Sequence, residues 1–296
     1  MSTPNISLSE AIESFFRDMQ NANRSPHTLR VYKTDLRAFQ EFYQGSIDGI
    51  TAEILRDFFT QFIELRPATR ARKQASLSSF LSWALRQEFI QTNPLLKLDR
   101  VKVIPPPPRA LSRKNIEKIL KAIPRDELRD LLLFRLLFET GLRISEALSL
   151  YVEDVDLTPD DERLSITGKG GSRRTVLLED TRLVALFHRY LKKMGYKQGA
   201  FFRAHKNYQG GAWRYQSAQA RWVKYCKQAE IECTLHQLRH SHATELVNDG
   251  VSLATIRKRL GHKRIQTTLR YAEQSDEASS AELRAWRRKK QTGNRQ

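Results

Sequence analysis

The chain has 296 residues, 40% of them hydrophobic, and its 51 lysines and arginines outnumber 33 aspartates and glutamates to give a formal net charge of +18. This length predicts two domains with separate cores, and the hydrophobic fraction excludes a disordered polycation. Only two cysteines are present, which excludes a disulfide framework, and the densest apolar run, residues 131–138, is too short to cross a membrane. The charge surplus indicates a polyanionic partner such as nucleic acid, with a basic enzyme lacking such a partner as the alternative.

The first hundred residues predict a small domain of helices joined by short loops. Ser7 and Glu10 have the spacing of a capping box, and apolar residues recur on one helical face after them. The four predicted helices begin near Ser7, Ser25, Thr51 and Ala68. A Pro94 that follows Asn93 ends this helical region.

The fourth predicted helix carries a polar cluster in its first turns, formed by Arg70, Arg72, Lys73 and Gln74. In the major groove of DNA, arginine and lysine suit guanine, and glutamine suits adenine. We therefore expect these four side chains to bind DNA. Contact with phosphate rather than with bases is the alternative, because most basic side chains on DNA bind the backbone.

Four consecutive prolines occupy residues 105–108 within the segment 101–111. Such a run is extended and stiff, at about 3.1 Å per residue. We expect this segment to be a linker between an N-terminal domain, residues 1–100, and a second domain, residues 112–296. A surface loop inside one domain is the alternative interpretation.

The sequence of the second domain predicts mostly helices and one β-hairpin. Residues 162–168 and 172–178 alternate polar and apolar side chains around a glycine-rich tip, Gly168-Lys169-Gly170-Gly171. Further helices are predicted over residues 217–229, 235–248 and 252–260. The fold class is therefore mainly α with a small β element. Lys169 at the tip is able to act as a point charge or proton donor, or it is simply a solvated turn lysine.

The densest cluster of chemically active side chains is in the predicted helix 235–248. His236, Arg239 and His240 share one helical face, Arg239 offers a fork for two phosphate oxygens, and His236 has the neutral-range pKa that suits proton transfer. A zinc site is the alternative, because Cys233 and His242 are close in sequence, but neither an HExxH nor a CxxC pattern is present. We expect no metal, and we expect His242 to pack or hydrogen-bond inside the domain.

Arg143 follows a glycine that is able to end the preceding apolar helix. Taken alone, it is equally well explained as the ion-pair partner of Glu146, three residues later.

Tyr271 lies at the end of a short predicted helix that follows Gly261 and His262. A tyrosine hydroxyl becomes a nucleophile only beside cations or a base, and Arg264 and Arg270 are the cations nearest in sequence. An ordinary core or surface tyrosine is the alternative.

Together, and in this order, four segments resemble the motifs of the tyrosine recombinase (integrase) family: residues 139–148, 168–171, 236–240 and 260–271. Residues 25–32 and 77–94 resemble the family's core-binding domain. The resemblance covers nearly the whole chain and implies a C-shaped clamp of an N-terminal helical, SAM-like domain and a C-terminal catalytic domain. It is closest to the compact Xer-like and transposon-resolvase type, since we expect the residues before Ser7 to leave no room for an arm-binding domain.

The resemblance also implies a mechanism. Tyr271 attacks a DNA phosphodiester, which gives a 3′-phosphotyrosyl link and a free 5′-hydroxyl. Arg143 and Arg239 bind the phosphate, and Lys169 protonates the leaving oxygen. His236 assists proton transfer at the tyrosine, and His262 hydrogen-bonds the phosphate. No cofactor, metal ion or small-molecule substrate is expected.

The partners that the resemblance implies are double-stranded DNA with paired inverted core-binding sites and further protomers, as a homotetramer or as a heterotetramer with a paralogue. Strand exchange through a Holliday junction would serve resolution, integration or excision in the cytoplasm of a bacterial-type cell, on nucleoid DNA and not on a membrane. Arg173 and Arg174 are further expected DNA contacts, and residues 279–290 are expected to dock on a neighbour or on DNA. The alternatives are DNA relaxation of the type IB topoisomerase kind and a catalytically silent, sequence-specific DNA-binding protein.

Overall fold

The computed structural model describes residues 6–104, 109–168, 171–195, 197–204, 211–262, 264–272 and Arg284. The chain divides into two compact units, residues 1–105 and 106–296. The proline run 105–108, the tip residue Lys169 and, apart from Arg284, the C-terminal segment 279–290 lie outside the described residues, so the predictions about them stay predictions. Within the described part of the chain, no helix has the length and apolar character that a membrane span requires.

The first unit is an all-α bundle. Its helices are α1 (Leu8–Asn21), α2 (Pro26–Phe42), α3 (Ala52–Thr60) and α4 (Pro67–Arg86), followed by a 3-10 turn at Pro94–Lys97. The capping box of Ser7 and Glu10 is formed as predicted, and the Ser25 side chain caps α2 with a proline in the first turn. The core is aromatic, because Phe15, Phe39, Phe58 and Phe80 are almost completely buried.

A buried carboxylate connects α2 to α4. Asp35 is 1% exposed and accepts hydrogen bonds from the Ser76 hydroxyl at 2.8 Å and from the Lys73 ammonium at 3.4 Å. Arg72 forms an ion pair with the same carboxylate. The Lys73 ammonium also lies 4.3 Å from the centre of the Phe62 ring. Two opposite charges are thus neutralised inside the unit, where an unpaired charge would be costly.

The second unit contains the remaining helices and one sheet. Its helices are α5 (Arg113–Lys121), α6 (Leu128–Thr140), α7 (Ile144–Leu148), α8 (Thr181–Met194), α9 (Tyr215–Gln228), α10 (Leu235–Asn248), α11 (Leu253–Leu260) and α12 (Gln266–Ala272). A 3-10 turn at Val152–Asp154 precedes the sheet. The mainly helical class with a small β element is therefore confirmed.

The sheet consists of β1 (Val155–Asp156), β2 (Arg163–Thr167) and β3 (Arg173–Leu177), in that order and antiparallel. The predicted hairpin is β2–β3, with Ser165 opposite Thr175. The Gly168 N–H donates to the Ser172 carbonyl at 2.7 Å and closes the hairpin just before its tip. The strand β1 has only two residues, too few to show an alternating pattern, so the sequence does not predict it.

Helix α6 is the centre of the second unit. Apolar side chains on all its faces are buried, as expected for a helix covered by other elements: Leu132, Leu133, Phe134, Leu136 and Leu137. A smaller apolar cluster joins α10, α11 and α12 through Ala243, Val247, Ile256, Leu260 and Tyr271. This second cluster brings the last short helix onto α10.

We predict that Asp35→Ala destabilises the first unit by about 3–5 kcal/mol, because the substitution leaves the Lys73 ammonium buried without its partner. The matched control is Glu41→Ala on the same helix, which removes an ion pair with Arg37 whose side chains are 77% and 65% exposed. That pair contributes less than about 1 kcal/mol. Urea unfolding of the full chain, followed by hydrogen exchange of amides in residues 6–104, measures both. Equal losses for the two variants would contradict the assigned role of Asp35.

Candidate active site

A tight turn presents Arg143 at the end of α6. Gly141 ends the helix with a left-handed φ of 64°, and a Cβ there would lie 2.5 Å from a Leu260 side-chain carbon and 2.6 Å from a His242 ring carbon. Glycine is therefore required both by the backbone conformation and by the close packing. Two residues later Arg143 is the N-cap of α7 with extended backbone.

Glu146 holds Arg143 in place. The Glu146 carboxylate, 6% exposed, accepts from the Arg143 backbone N–H at 2.9 Å and from its guanidinium at 2.8 Å. Arg174 donates to both oxygens of the same carboxylate, at 3.0 and 2.9 Å. Burial alone would raise the pKa of Glu146, but hydrogen bonds from Arg174 and Arg143 outweigh it and lower this pKa to about 2. The ion pair of Arg143 with Glu146 follows from their spacing of three residues, whereas the contact of Glu146 with Arg174, 28 residues later, has no local sequence signal.

Arg239 joins three segments of the second unit. Its guanidinium is buried and donates to the carbonyl oxygen of Gly141 at 2.6 Å and to that of Leu260 at 2.8 Å. Burial and the neighbouring Arg143 lower the pKa of Arg239 to about 10, so the side chain is still a cation at neutral pH. The turn after α6 and the end of α11 are both held against α10 by this side chain.

His236 and His240 lie one helical turn apart on α10. Their rings meet edge to face, with centroids 4.4 Å apart. His236 is exposed, whereas His240 is half-buried and its Nδ1 lies 2.8 Å from the Tyr271 hydroxyl oxygen. Burial and nearby positive charges lower the pKa of both imidazoles, that of His240 to about 4.

Tyr271 lies on α12, is 4% exposed and has the cations Arg239, Arg270 and Arg143 in its surroundings. Burial raises the pKa of its hydroxyl, while Arg239, Arg270 and Arg143 act in the opposite direction. The ring of His262 stacks on the tyrosine with an interplanar angle of 6° and a centroid distance of 6.3 Å. His262 itself is fixed by a 2.9 Å hydrogen bond between its Nδ1 and the Thr268 hydroxyl.

A cleft of about 720 Å³ opens beside these groups. Its lining includes Arg143, His262 and the described flanks of the hairpin tip, Gly168, Ser172 and Arg173. Five of the six predicted catalytic residues are thus brought together in one region: Arg143, His236, Arg239, His262 and Tyr271. The sixth, Lys169, follows the lining residue Gly168 in sequence and lies outside the described residues.

Several of the predicted DNA-contacting side chains are occupied inside the protein. Lys73 is buried on Asp35, and Gln74 is buried with its amide bonded to the Asp99 carbonyl and the Val101 N–H. Arg174 is committed to Glu146. These contacts engage the three side chains inside the protein, and their predicted contacts with DNA stay predictions. Arg173 and Arg72 are exposed and Arg70 is half-buried, so these three are the more accessible members of the predicted set, although Arg72 also pairs with Asp35.

His242 and Cys233 both form hydrogen bonds inside the second unit. His242 is buried, and its Nε2 accepts a hydrogen bond from Arg259, as expected for a residue that bonds inside the domain. The Cys233 thiol donates to the Thr234 carbonyl. Among the described residues, no three side chains of the histidine, cysteine, aspartate and glutamate types form a group able to hold a metal ion.

Comparison with known proteins identifies the fold and the family. The phage integrase family matches residues 109–278, more than half of the chain, and the N-terminal SAM-like domain of phage integrases matches residues 12–88. Tyrosine recombinase XerC of Roseiflexus castenholzii is 29% identical over 294 residues, covering 92% of this chain and 91% of the relative. Transposase A from transposon Tn554 of Staphylococcus aureus is 26% identical over 337 residues, with 96% and 92% coverage.

Solved structures of lambda integrase share the fold at lower sequence identity. A dimer bound to a COC′ core site has a TM-score of 0.74 and 17% identity, covering 90% of this chain and 77% of that one. A tetramer bound to a Holliday junction has a TM-score of 0.73 and 16% identity, covering 88% and 78%. With the two family matches, these results show that the chain belongs to the phage integrase family and is a tyrosine recombinase, an enzyme of site-specific DNA recombination.

Proposed function

We propose that Tyr271 is the nucleophile that cuts DNA. Its hydroxyl oxygen attacks the scissile phosphorus and forms a bond to it, while the bond between phosphorus and the 5′-oxygen breaks. The phosphate stays on the 3′ end of the cut strand, now linked to the tyrosine. The observation that carries this assignment is the position of the hydroxyl, which lies 2.8 Å from an imidazole nitrogen and within the influence of Arg239, Arg270 and Arg143. A base or neighbouring cations activate a phenol for reaction at neutral pH, and Tyr271 has both kinds of neighbour.

Arg143 and Arg239 are proposed to bind the non-bridging oxygens of the phosphate, where negative charge accumulates in the transition state. Both guanidinium groups are already oriented by the protein, Arg143 by Glu146 and Arg239 by two carbonyl oxygens. Little reorganisation is then required when the phosphate enters. His262, stacked against Tyr271, is proposed to add a further hydrogen bond to the phosphate.

Lys169 is proposed to protonate the leaving 5′-oxygen, a role worth about 10²–10⁴-fold in rate. The support is indirect: Gly168 and Ser172, on either side of the hairpin tip, line the same cleft as Arg143 and His262. Exposed His236 is proposed to assist proton transfer at the tyrosine.

Recombination between two duplex sites requires four cuts, and we propose that four protomers supply them on DNA, two for each site. Lambda integrase forms a tetramer on a Holliday junction, and this is the assembly proposed here for copies of this chain, alone or with a paralogue. Because the substrate is nucleoid DNA, we place the reaction in the cytoplasm of a bacterial-type cell. Arg70, Arg72 and Arg173 are the proposed DNA contacts.

The first test is the covalent adduct of Tyr271→Phe. The DNA is a duplex selected from a random-sequence pool by binding to the purified protein. Nicks are placed along it so that cleavage releases a short fragment; loss of this fragment prevents rejoining and traps the adduct, which makes the duplex a suicide substrate. We expect wild type to form the adduct in the presence of EDTA and the variant to form none, since phenylalanine has no hydroxyl. Tyr151→Phe, at an exposed position, is the control with wild-type activity. Adduct formation by Tyr271→Phe would contradict the assignment.

The second test concerns Lys169. We expect Lys169→Ala to cleave this suicide substrate on the order of 10²-fold more slowly than wild type, and to recover on a substrate with a 5′-thiol leaving group, because sulfur leaves without protonation. The matched control is Lys192→Ala, an exposed lysine of α8. A defect of the same size on oxygen and sulfur substrates would reject the general-acid role.

The third test separates recombination from relaxation. On a supercoiled plasmid with two selected sites, we expect resolved or inverted products, depending on the relative orientation of the sites. A plasmid with a single site should give neither product. Relaxed plasmid without exchanged strands would instead favour a topoisomerase-like activity, and unreacted plasmid a DNA-binding role only.

A further inference from the structure

The neighbour of the Tyr271 hydroxyl differs from the residue that the sequence motif suggests. The nitrogen within hydrogen-bonding distance is Nδ1 of His240, at 2.8 Å. His236 is exposed one turn earlier on α10, and its contact in this region is with the edge of the His240 ring. Within the described part of the chain, no hydrogen bond joins His236 to Tyr271.

We propose that His240 accepts the proton of the Tyr271 hydroxyl when the tyrosine attacks DNA. The proposal rests on the proposed function, in which Tyr271 is the nucleophile. It leaves His236 in an exposed position one turn earlier on α10 and assigns to His240 the direct contact with the reacting oxygen. His240 is thus a further catalytic residue of the recombination reaction.

Protons and bonds balance in this step. The O–H bond of Tyr271 breaks and its proton goes to Nδ1 of His240, while the oxygen–phosphorus bond forms. The phosphorus–5′-oxygen bond breaks at the same phosphorus, and the 5′-oxygen takes a proton from Lys169. In the reverse reaction the 5′-hydroxyl returns its proton to Lys169, and His240 returns its proton to the tyrosine oxygen.

The surroundings of His240 keep it neutral before DNA enters. Burial and the charges of His236, Arg239 and Arg270 lower its pKa to about 4, so at neutral pH the ring is uncharged and Nδ1 is able to accept a proton. Among the described residues, the titratable and charged groups that face it are His236 and Arg239 from α10, Arg270 and Tyr271 from α12, and His262 after α11.

An entering phosphate changes this balance. A negative charge beside Arg239 favours the imidazolium form and raises the pKa of His240. Proton uptake from the tyrosine is therefore favoured only with the scissile phosphate in place. The competing description is a structural contact, in which Nδ1 carries the hydrogen and donates to the phenol oxygen without ever accepting a proton.

The test compares His240→Asn with wild type in single-turnover cleavage of the suicide substrate. Asparagine places a hydrogen-bonding amide close to the Nδ1 position and does not take up a proton. We expect cleavage on the order of 10²-fold slower with unchanged DNA binding. His188→Asn, at an exposed position on α8, is the matched control with wild-type rates.

A fluorinated tyrosine at position 271 distinguishes proton transfer from positioning, because it lowers the phenol pKa and with it the need for a base. The defect of His240→Asn should shrink with the fluorinated residue, and the pH profile of cleavage should move to lower pH. A wild-type rate for His240→Asn, or a defect of equal size with both tyrosines, would overturn the role of His240 alone. A wild-type adduct that maps away from Tyr271 would overturn the proposed nucleophile as well.

A readout without DNA completes the test. Nitrogen-15 spectra of histidines in the DNA-free protein should show Nδ1 of His240 without a hydrogen, and its signal should change in Tyr271→Phe. A hydrogen on Nδ1 would mean that the ring donates to the phenol, which would overturn the proton-acceptor role.

Discussion

The hydrogen bonds from the Arg239 guanidinium to the carbonyl oxygens of Gly141 and Leu260 hold the catalytic region together. Each carbonyl belongs to the end of another helix, so one buried cation connects α6, α10 and α11. The turn that presents Arg143 and the turn that presents His262 depend on this side chain. Lysine would not replace it, because a single ammonium lacks the planar fork that reaches both acceptors. The residue proposed to bind the phosphate is also a structural centre of its unit.

The charges of the cleft are arranged for an anion. Glu146 is one carboxylate shared by Arg143 and Arg174, and among the described residues no carboxylate is hydrogen-bonded to the guanidinium of Arg239. Positive charge therefore exceeds negative charge before any substrate enters. Lowered pKa values keep the imidazoles of His236, His240 and His262 uncharged at neutral pH, which limits the repulsion that the unliganded site must bear. A phosphodiester would supply the missing negative charge.

Local sequence patterns were sufficient for the elements and for most of the site. The capping box at Ser7, the hairpin around Gly168 and the residues of α10 follow from spacing within a few positions. Partners far apart in sequence were not predictable, because they depend on how helices pack. The ion pair of Arg174 with Glu146 spans 28 residues, and the contact of His240 with Tyr271 spans 31. The burial of Lys73 likewise depends on Asp35, 38 residues earlier.

The hydrogen bond between Tyr271 and His240 has a consequence for the order of events in recombination. A phenolic oxygen bound to phosphorus has no hydrogen left to donate, so in the proposed reaction the direction of this hydrogen bond is reversed in every protomer that is covalently attached to DNA: the protonated Nδ1 of His240 is then the donor. Rejoining the strand returns the proton to the tyrosine oxygen and restores the original direction. The neutral imidazole and the tyrosine hydroxyl are thereby regained only when the DNA strand is intact, which couples the enzyme's return to its starting state to repair of the break it made.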